Sequence, residues 1–353
     1  MNHPLLTGFS VACLFVVSLA PGVRAAEESR HVPLARPDGE LVMRVVMVED
    51  EKGEPVAAGE AAATSLRKAM NGIPLKAVII SECFEGKTYK EKLLAGLSKV
   101  LDPDLLYGAA TYGSFTQEGC TDFDSVCLLG IGGDGVGVST ALVRELGTAK
   151  LSFDEHEAEI KQKLREAGKT LGGKIRRHAR DRLLILIPDA HSPKNRYFVE
   201  GVQQTVGADF PMTGGSANKN AGQTFIYFRG RMYQDSAIAL MLSGNFQASL
   251  SGRMAQENDA VIRTAREAAA EALGEAPRRP LAVLAYNCAG RRGRLDNMHD
   301  ELNAMQEVIG KNVPLFGCYN AGEIGPLDPA EKRTDALCGG SGWHVMFTMI
   351  WQD

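Results

Sequence analysis

Three stretches of the chain are continuous apolar runs of strand length that end in small and polar residues: LKAVIISECFEG (75–86), RLLILIPDAHSP (182–193) and PLAVLAYNCAGR (280–291). Such runs predict strands buried on both faces. Each is followed by apolar positions three and four residues apart, so each stripe lies on one helix face. The stripes are Leu93, Leu94, Leu97, Val100 and Leu101, then Phe198, Val202 and Val206, then Met298, Leu302, Met305, Val308 and Ile309. A second strand then runs into glycine each time: LLYGAATYG (105–113), FPMTGGSAN (210–218) and PLFGCYNAG (314–322). Aligned at Gly108, Gly214 and Gly317, these are 106 and 103 residues apart. A further strand closes each block, in DSVCLLGIGG, DSAIALMLSG and WHVMFTMIWQ. Long helices are predicted over 155–174 and 254–273. LVMRVVMVED and the helix at 57–70 supply the same pair ahead of the first block. The expected fold is α/β, with about three repeated β-α-β-α-β units, a period near 100 residues, and helices covering the sheets.

The first residues read differently. Residues 5–20 are mostly apolar, Pro21-Gly22 breaks the run, and Val23-Arg24-Ala25 fits a small-x-small cleavage site. A signal peptide over residues 1–25 is expected, hence a periplasmic or secreted protein with no membrane span after cleavage. The formal net charge is −4; removing residues 1–25 takes one arginine and no acid, leaving −5. That balance argues against nucleic-acid partners. KIRRHARDR (174–182) is then a basic helix end that suits the helix dipole.

The third block carries a resemblance. NCAGRRGRL followed by PLFGCYNAGEIGP resembles the C-terminal part of the FIST family, and YGAATYGSF and MTGGSANKN resemble the matching turns of its N-terminal part. The likeness spans 41–353, and implies a FIST N-terminal-like domain over 26–250 and a FIST C-terminal-like domain over 251–353. FIST domains are sensory modules with amino acids among the ligands suggested for them. The resemblance therefore implies a small polar ligand such as an amino acid or small carboxylate, no catalysis, and a signalling or transport partner of open identity. The leader is a departure from a family that mostly looks cytoplasmic. So is Cys318, where the family pattern carries an aromatic.

In buried α/β sheets ligands bind beyond the carboxyl ends of strands. Arg291 there offers a fork for a carboxylate. Tyr319, Asn320 and Glu323 offer a ring, an amide and an acceptor for an amine. Ser216 and Asn218 in the second block, and Thr111 and Tyr112 in the first, complete the expected ligand-binding set. Polar bracing of the turns is the alternative reading for the same residues. The alternative function is a hydrolase or transferase using Cys288, with His191 or His299 as base. GIGGDG (130–135) matches a dinucleotide pattern, but VGVSTAL after it is β-like where a helix is required, so a hairpin is expected and no cofactor. No Cys or His spacing suggests a metal. The cysteines after the leader are Cys83, Cys120, Cys127, Cys288, Cys318 and Cys338; sequence cannot choose a disulfide pattern, and free buried thiols are expected.

Export has a direct test. Protein recovered from an extracytoplasmic fraction is expected to begin at Ala26 by N-terminal sequencing; a product still starting at Met1 would remove the leader.

Overall fold

The computed structural model describes residues 28–352, apart from 122–123, 221 and 275–278. The expected leader lies outside the described residues. Helices and strands alternate along the chain, as the pattern of apolar runs predicts.

The first sheet is built from β1 (Val42–Glu49), β2 (Leu75–Glu82), β3 (Leu106–Ala110) and β5 (Ser125–Gly132), with β4 (Ser114–Thr116) leaving it. The second holds β6 (Val136–Arg144), β7 (Asp181–Pro188), β8 (Met212–Gly215) and β10 (Ser236–Gly244), with β9 (Ile226–Phe228) leaving it. The third holds β11 (Phe246–Met254), β12 (Ala282–Cys288), β13 (Leu315–Asn320) and β16 (His344–Gln352). Two short strands, β14 (Glu323–Gly325) and β15 (Gly339–Ser341), leave this sheet. The strand orders are β1-β5-β2-β3, β6-β10-β7-β8 and β11-β16-β12-β13. In each, the last pair is parallel and the others are antiparallel.

The strands that leave explain how the sheets hold together. β9 pairs with β3 of the first sheet, β14 pairs with β8 of the second, and β4 pairs with β13 of the third. Each sheet is thus extended by a strand from another, and the exchange closes on itself. Edge strands present unpaired N–H and C=O groups, and pairing them removes that liability.

Alternation along the strands sends one face inward and one outward. The inward faces meet in one apolar core that includes Ile79 and Leu129, Ile185 and Leu240, and Leu284 and Phe316. The outward faces are each covered by two helices. The first sheet is covered by α1 (Pro55–Met70) and α2 (Lys87–Ser98), the second by α3 (Phe153–Lys174) and α4 (Asn195–Val206). The third is covered by α5 (Asn258–Leu273) and α7 (His299–Ile309), with the one-turn α6 (Ala289–Arg292) between β12 and α7. Local chemistry sets the helix ends. Proline opens α1 at its first turn, where its missing N–H has no partner to lose, and Asn71 closes it in a left-handed conformation at φ 48°. Among the described residues no helix is long and apolar enough to cross a membrane. GIGGDG forms the end of β5 and a turn into β6, as its β-like continuation predicts.

The aligned glycines have a packing reason. A Cβ on Gly108 or Gly214 would come within 2.0 or 1.9 Å of the carbonyl oxygens of Ile80 and Leu186 on the neighbouring strand. At Gly317 the occupant is the Phe115 ring from β4, 2.0 Å from where a Cβ would stand. Phe115 is fully buried and tilts against Tyr319 at 5.2 Å between centroids. It anchors the strand that ties the first block to the third sheet. Phe115→Ala is expected to lower the unfolding free energy by about 3–5 kcal/mol in urea titrations. Tyr112→Ala, at a side chain 49% exposed, is expected to stay within about 0.5 kcal/mol of wild type.

Candidate functional site

The turns after β3, β8 and β13 come together. Tyr112 N–H donates to Tyr319 O at 2.8 Å, and Tyr319 N–H donates to Gly113 O at 3.0 Å. Ser216 N–H donates to Gly322 O at 2.7 Å, Ala321 N–H to Ser216 O at 3.1 Å, and Asn218 N–H to Ala110 O at 2.8 Å. The three glycine-rich turns are therefore locked to one another by their backbones, at the end of the shared core.

Most polar side chains at this junction brace it. Thr111 Oγ1 and Ser114 Oγ lie 2.8 and 2.7 Å from Ser81 Oγ. Ser216 Oγ donates to Ala190 O at 2.8 Å. The Asn320 amide donates to Cys318 O at 3.0 Å and to Asn287 O at 3.4 Å, and its side chain lies against Gly215. Asn218 Oδ1 accepts from Lys219 N–H at 2.9 Å. Tyr112 is exposed, with the Arg292 guanidinium 5.3 Å above its ring.

Arg291 takes a structural role instead of the expected carboxylate clamp. It is fully buried, and its Nε and one terminal nitrogen reach Glu301 Oε1 at 2.8 and 2.7 Å. The same terminal nitrogen reaches Val261 O at 2.9 Å, and the other reaches Trp343 O at 3.4 Å. Every nitrogen of the fork is engaged by protein, because burying a guanidinium requires its donors to be met. Tyr319 belongs to the same cluster: its hydroxyl donates to Glu301 Oε2 at 3.1 Å. The first sheet has a counterpart in Lys90, whose ammonium lies 2.9 Å from both oxygens of Glu82, with Tyr227 OH donating to the same carboxylate.

Glu323 differs. It is fully buried at the start of β14; its Oε2 accepts from His344 N–H at 3.0 Å, and its Oε1 has no hydrogen-bond partner. The nearby Arg291 is committed to Glu301. Burial pushes the Glu323 carboxyl well above the usual carboxylate range, against the pull of the His344 N–H, the Arg291 charge, the Cys288 thiol and the Gly322 N–H. Other buried polar atoms without a partner gather at the same strand ends: Ser125 Oγ, His191 Nε2, Asn195 Oδ1, Tyr286 OH and both amide atoms of Asn287. Buried polar groups are almost always paired, so such a concentration calls for an explanation. Asn287 sits inside the third apolar run, where nothing in the spacing distinguishes it from a bracing residue.

Cys288 is half-buried at the end of β12 beside Glu323. Burial, then the Glu323 charge, push its thiol up to about 12. Cys83, at the matching end of β2, is pushed up to about 11 by burial and then by Glu82. Among the described residues neither His191 nor His299 hydrogen-bonds Cys288, and no disulfide joins Cys83, Cys120, Cys127, Cys288, Cys318 and Cys338.

The FIST N domain family model matches residues 76–261, and the FIST C domain family model matches residues 223–326. The chain belongs to the FIST family. The two matched segments of this FIST protein take in the junction, from Ser81 to Glu323. No curated protein matches the chain. Among solved structures, this FIST chain is similar to a cyanuric acid hydrolase from A. caulinodans at 11% identity and TM-score 0.42, covering 89% of this chain and 99% of that one. It is also similar to a chorismatase at 8% identity and TM-score 0.40, covering 88% of this chain and 99% of that one. At these values neither likeness bears on activity.

The thiols give a pH-dependent expectation. A thiol raised in the folded state holds its proton more tightly there, so its contribution to stability is complete below the ordinary range near 9 and is lost as pH climbs toward about 12. Iodoacetamide is expected to leave Cys288 and Cys83 unmodified in the folded protein at pH 7, by mass spectrometry. Urea midpoints are expected to fall between pH 9 and 12. Rapid labelling of Cys288 at pH 7 would contradict both.

Proposed function

We propose that this FIST protein is an exported, non-catalytic binding protein for a small polar ligand, an amino acid or small carboxylate, held where the three strand ends meet. The observation that carries the reading is Glu323: a fully buried carboxyl with one oxygen that no hydrogen bond of ordinary geometry reaches and, among the described residues, no uncommitted cation beside it. An amino group of a ligand supplies the missing donor and charge. FIST domains are sensory domains for small ligands, which supports the reading. Tyr112 and Asn218, at the rim of the same junction, are the expected residues best placed to meet a ligand. Arg291, Tyr319, Asn320, Ser216 and Thr111 hold the junction in shape. The alternative of Cys288 as a nucleophile is disfavoured by a thiol raised to about 12, since the thiolate is the reactive form.

The reading extends to the chain's organisation. The shared strand order and the glycines at matching places support three copies of one unit with a period near 100 residues. The two family domains are read as meeting near residue 250. The protein that receives the signal or the ligand is open.

Thermal-shift and calorimetric titration against amino acids and small carboxylates is the test. A ligand with an amino group is expected to stabilise the protein, with affinity rising with pH as Glu323 gives up its proton. Glu323→Gln, checked for folding by circular dichroism, is expected to lose at least tenfold in affinity. No stabilising ligand, or one indifferent to Glu323→Gln, would count against this site.

A further inference from the structure

A recess lies beside the junction, between α4 on one side and β15 with the segment 327–333 on the other. It encloses about 330 Å³ and is lined by Ser192, Arg196, Leu327, Glu331, Arg333 and Ser341, among others. That volume sits at the low end of the roughly 300–1,000 Å³ of small-molecule clefts. Its walls are held close by glycine. A Cβ on Gly340 would stand 2.7 Å from the Arg196 backbone nitrogen, and one on Gly339 would stand 3.1 Å from Leu327.

The charges are arranged unevenly across the cleft. On the α4 side, Glu200 takes three guanidinium groups: Arg165 at 2.7 and 2.9 Å, Arg196 at 3.0 Å and Arg333 at 3.1 Å. Burial raises the Glu200 carboxyl, but the hydrogen bonds from Arg165 and Arg196 outweigh it and hold it below the usual range. Glu200 therefore stays ionised and fixes Arg196 through its Nε alone. Among the described residues, no hydrogen bond engages the two terminal nitrogens of Arg196, which can grip a carboxylate end-on. The positive end of α4, a helix of 12 residues, opens beside it at Ser192 and Pro193. The opposite wall carries Glu331, whose Oε2 accepts from Ser341 Oγ at 3.2 Å. Pro193 and Leu327 provide apolar surface in the cleft.

We propose that this cleft is a second binding site, for a small monocarboxylate that carries a hydrogen-bond donor at its far end. The carboxylate takes the fork of Arg196, the chain lies along Pro193 and Leu327, and a hydroxyl or amino group meets Glu331. A ligand with a second negative charge is disfavoured, because that charge would face Glu331.

The probes are 3-hydroxybutyrate, 4-aminobutyrate, succinate and inorganic phosphate, titrated calorimetrically into the full chain. The first two are expected to bind, and Arg196→Gln is expected to weaken them at least tenfold. Arg196 is half-exposed, so this variant is expected to fold, and its unfolding midpoint checks that. Glu331→Gln is expected to narrow the preference over succinate. The assignment is overturned if none of the probes binds, if phosphate or succinate binds best, or if binding survives Arg196→Gln. A signal lost in Glu323→Gln and kept in Arg196→Gln lies at the strand-end junction and overturns it as well.

Discussion

The pairing of each sheet's edge with a strand from another sheet is the constraint on which the rest of the structure depends. A four-stranded sheet covered by helices on one face still has open edges and a bare inner face. Here the inner faces of three sheets bury one another around Ile79, Ile185 and Leu284, and β4, β9 and β14 each cross to close a neighbour's edge. Because the crossing strands leave from the turns after β3, β8 and β13, closing the edges also gathers those turns at one end of the core. The junction is a by-product of how the sheets are joined.

That origin accounts for its chemistry. A place where three chain segments turn within a dry core must satisfy many backbone and side-chain groups. Thr111, Ser216, Asn320 and the cluster of Arg291, Glu301 and Tyr319 do so. Breaking such a buried ion pair leaves an uncompensated charge, which is strongly destabilising, whereas forming it contributes little net stability. Glu323 stands apart because its carboxyl faces the same dry surroundings with one oxygen unmet.

The junction and the cleft beside α4 share one brace. β14 pairs with β15 through Glu323 and Ser341, and the Asn195 amide donates to both of those carbonyls, at 3.1 and 2.9 Å. One strand pair thus carries the buried carboxyl on one residue and a wall of the cleft on its partner.

By itself the sequence determined the long buried strands, the covering helices and the strand ends where polar residues collect, but not the three-residue strands β4, β9 and β14 that join the sheets. Continuous apolar runs and three-to-four spacing report burial directly, whatever the rest of the chain does. It also placed glycine at 108, 214 and 317, where a side chain would strike a neighbour. Tertiary structure alone decided which polar residues are consumed and which are left. Arg291 beside Glu323 looks like a zwitterion site in one dimension, but the fold brings Glu301 from α7 onto the guanidinium first. Asn287 and Asn195 became notable only because packing left amide atoms of theirs unpaired. The cleft joins residues near 200 to residues near 331, separations over which no local pattern carries information. Hydrogen-bond partners depend on which elements meet across the core, and that is fixed by the exchange of strands.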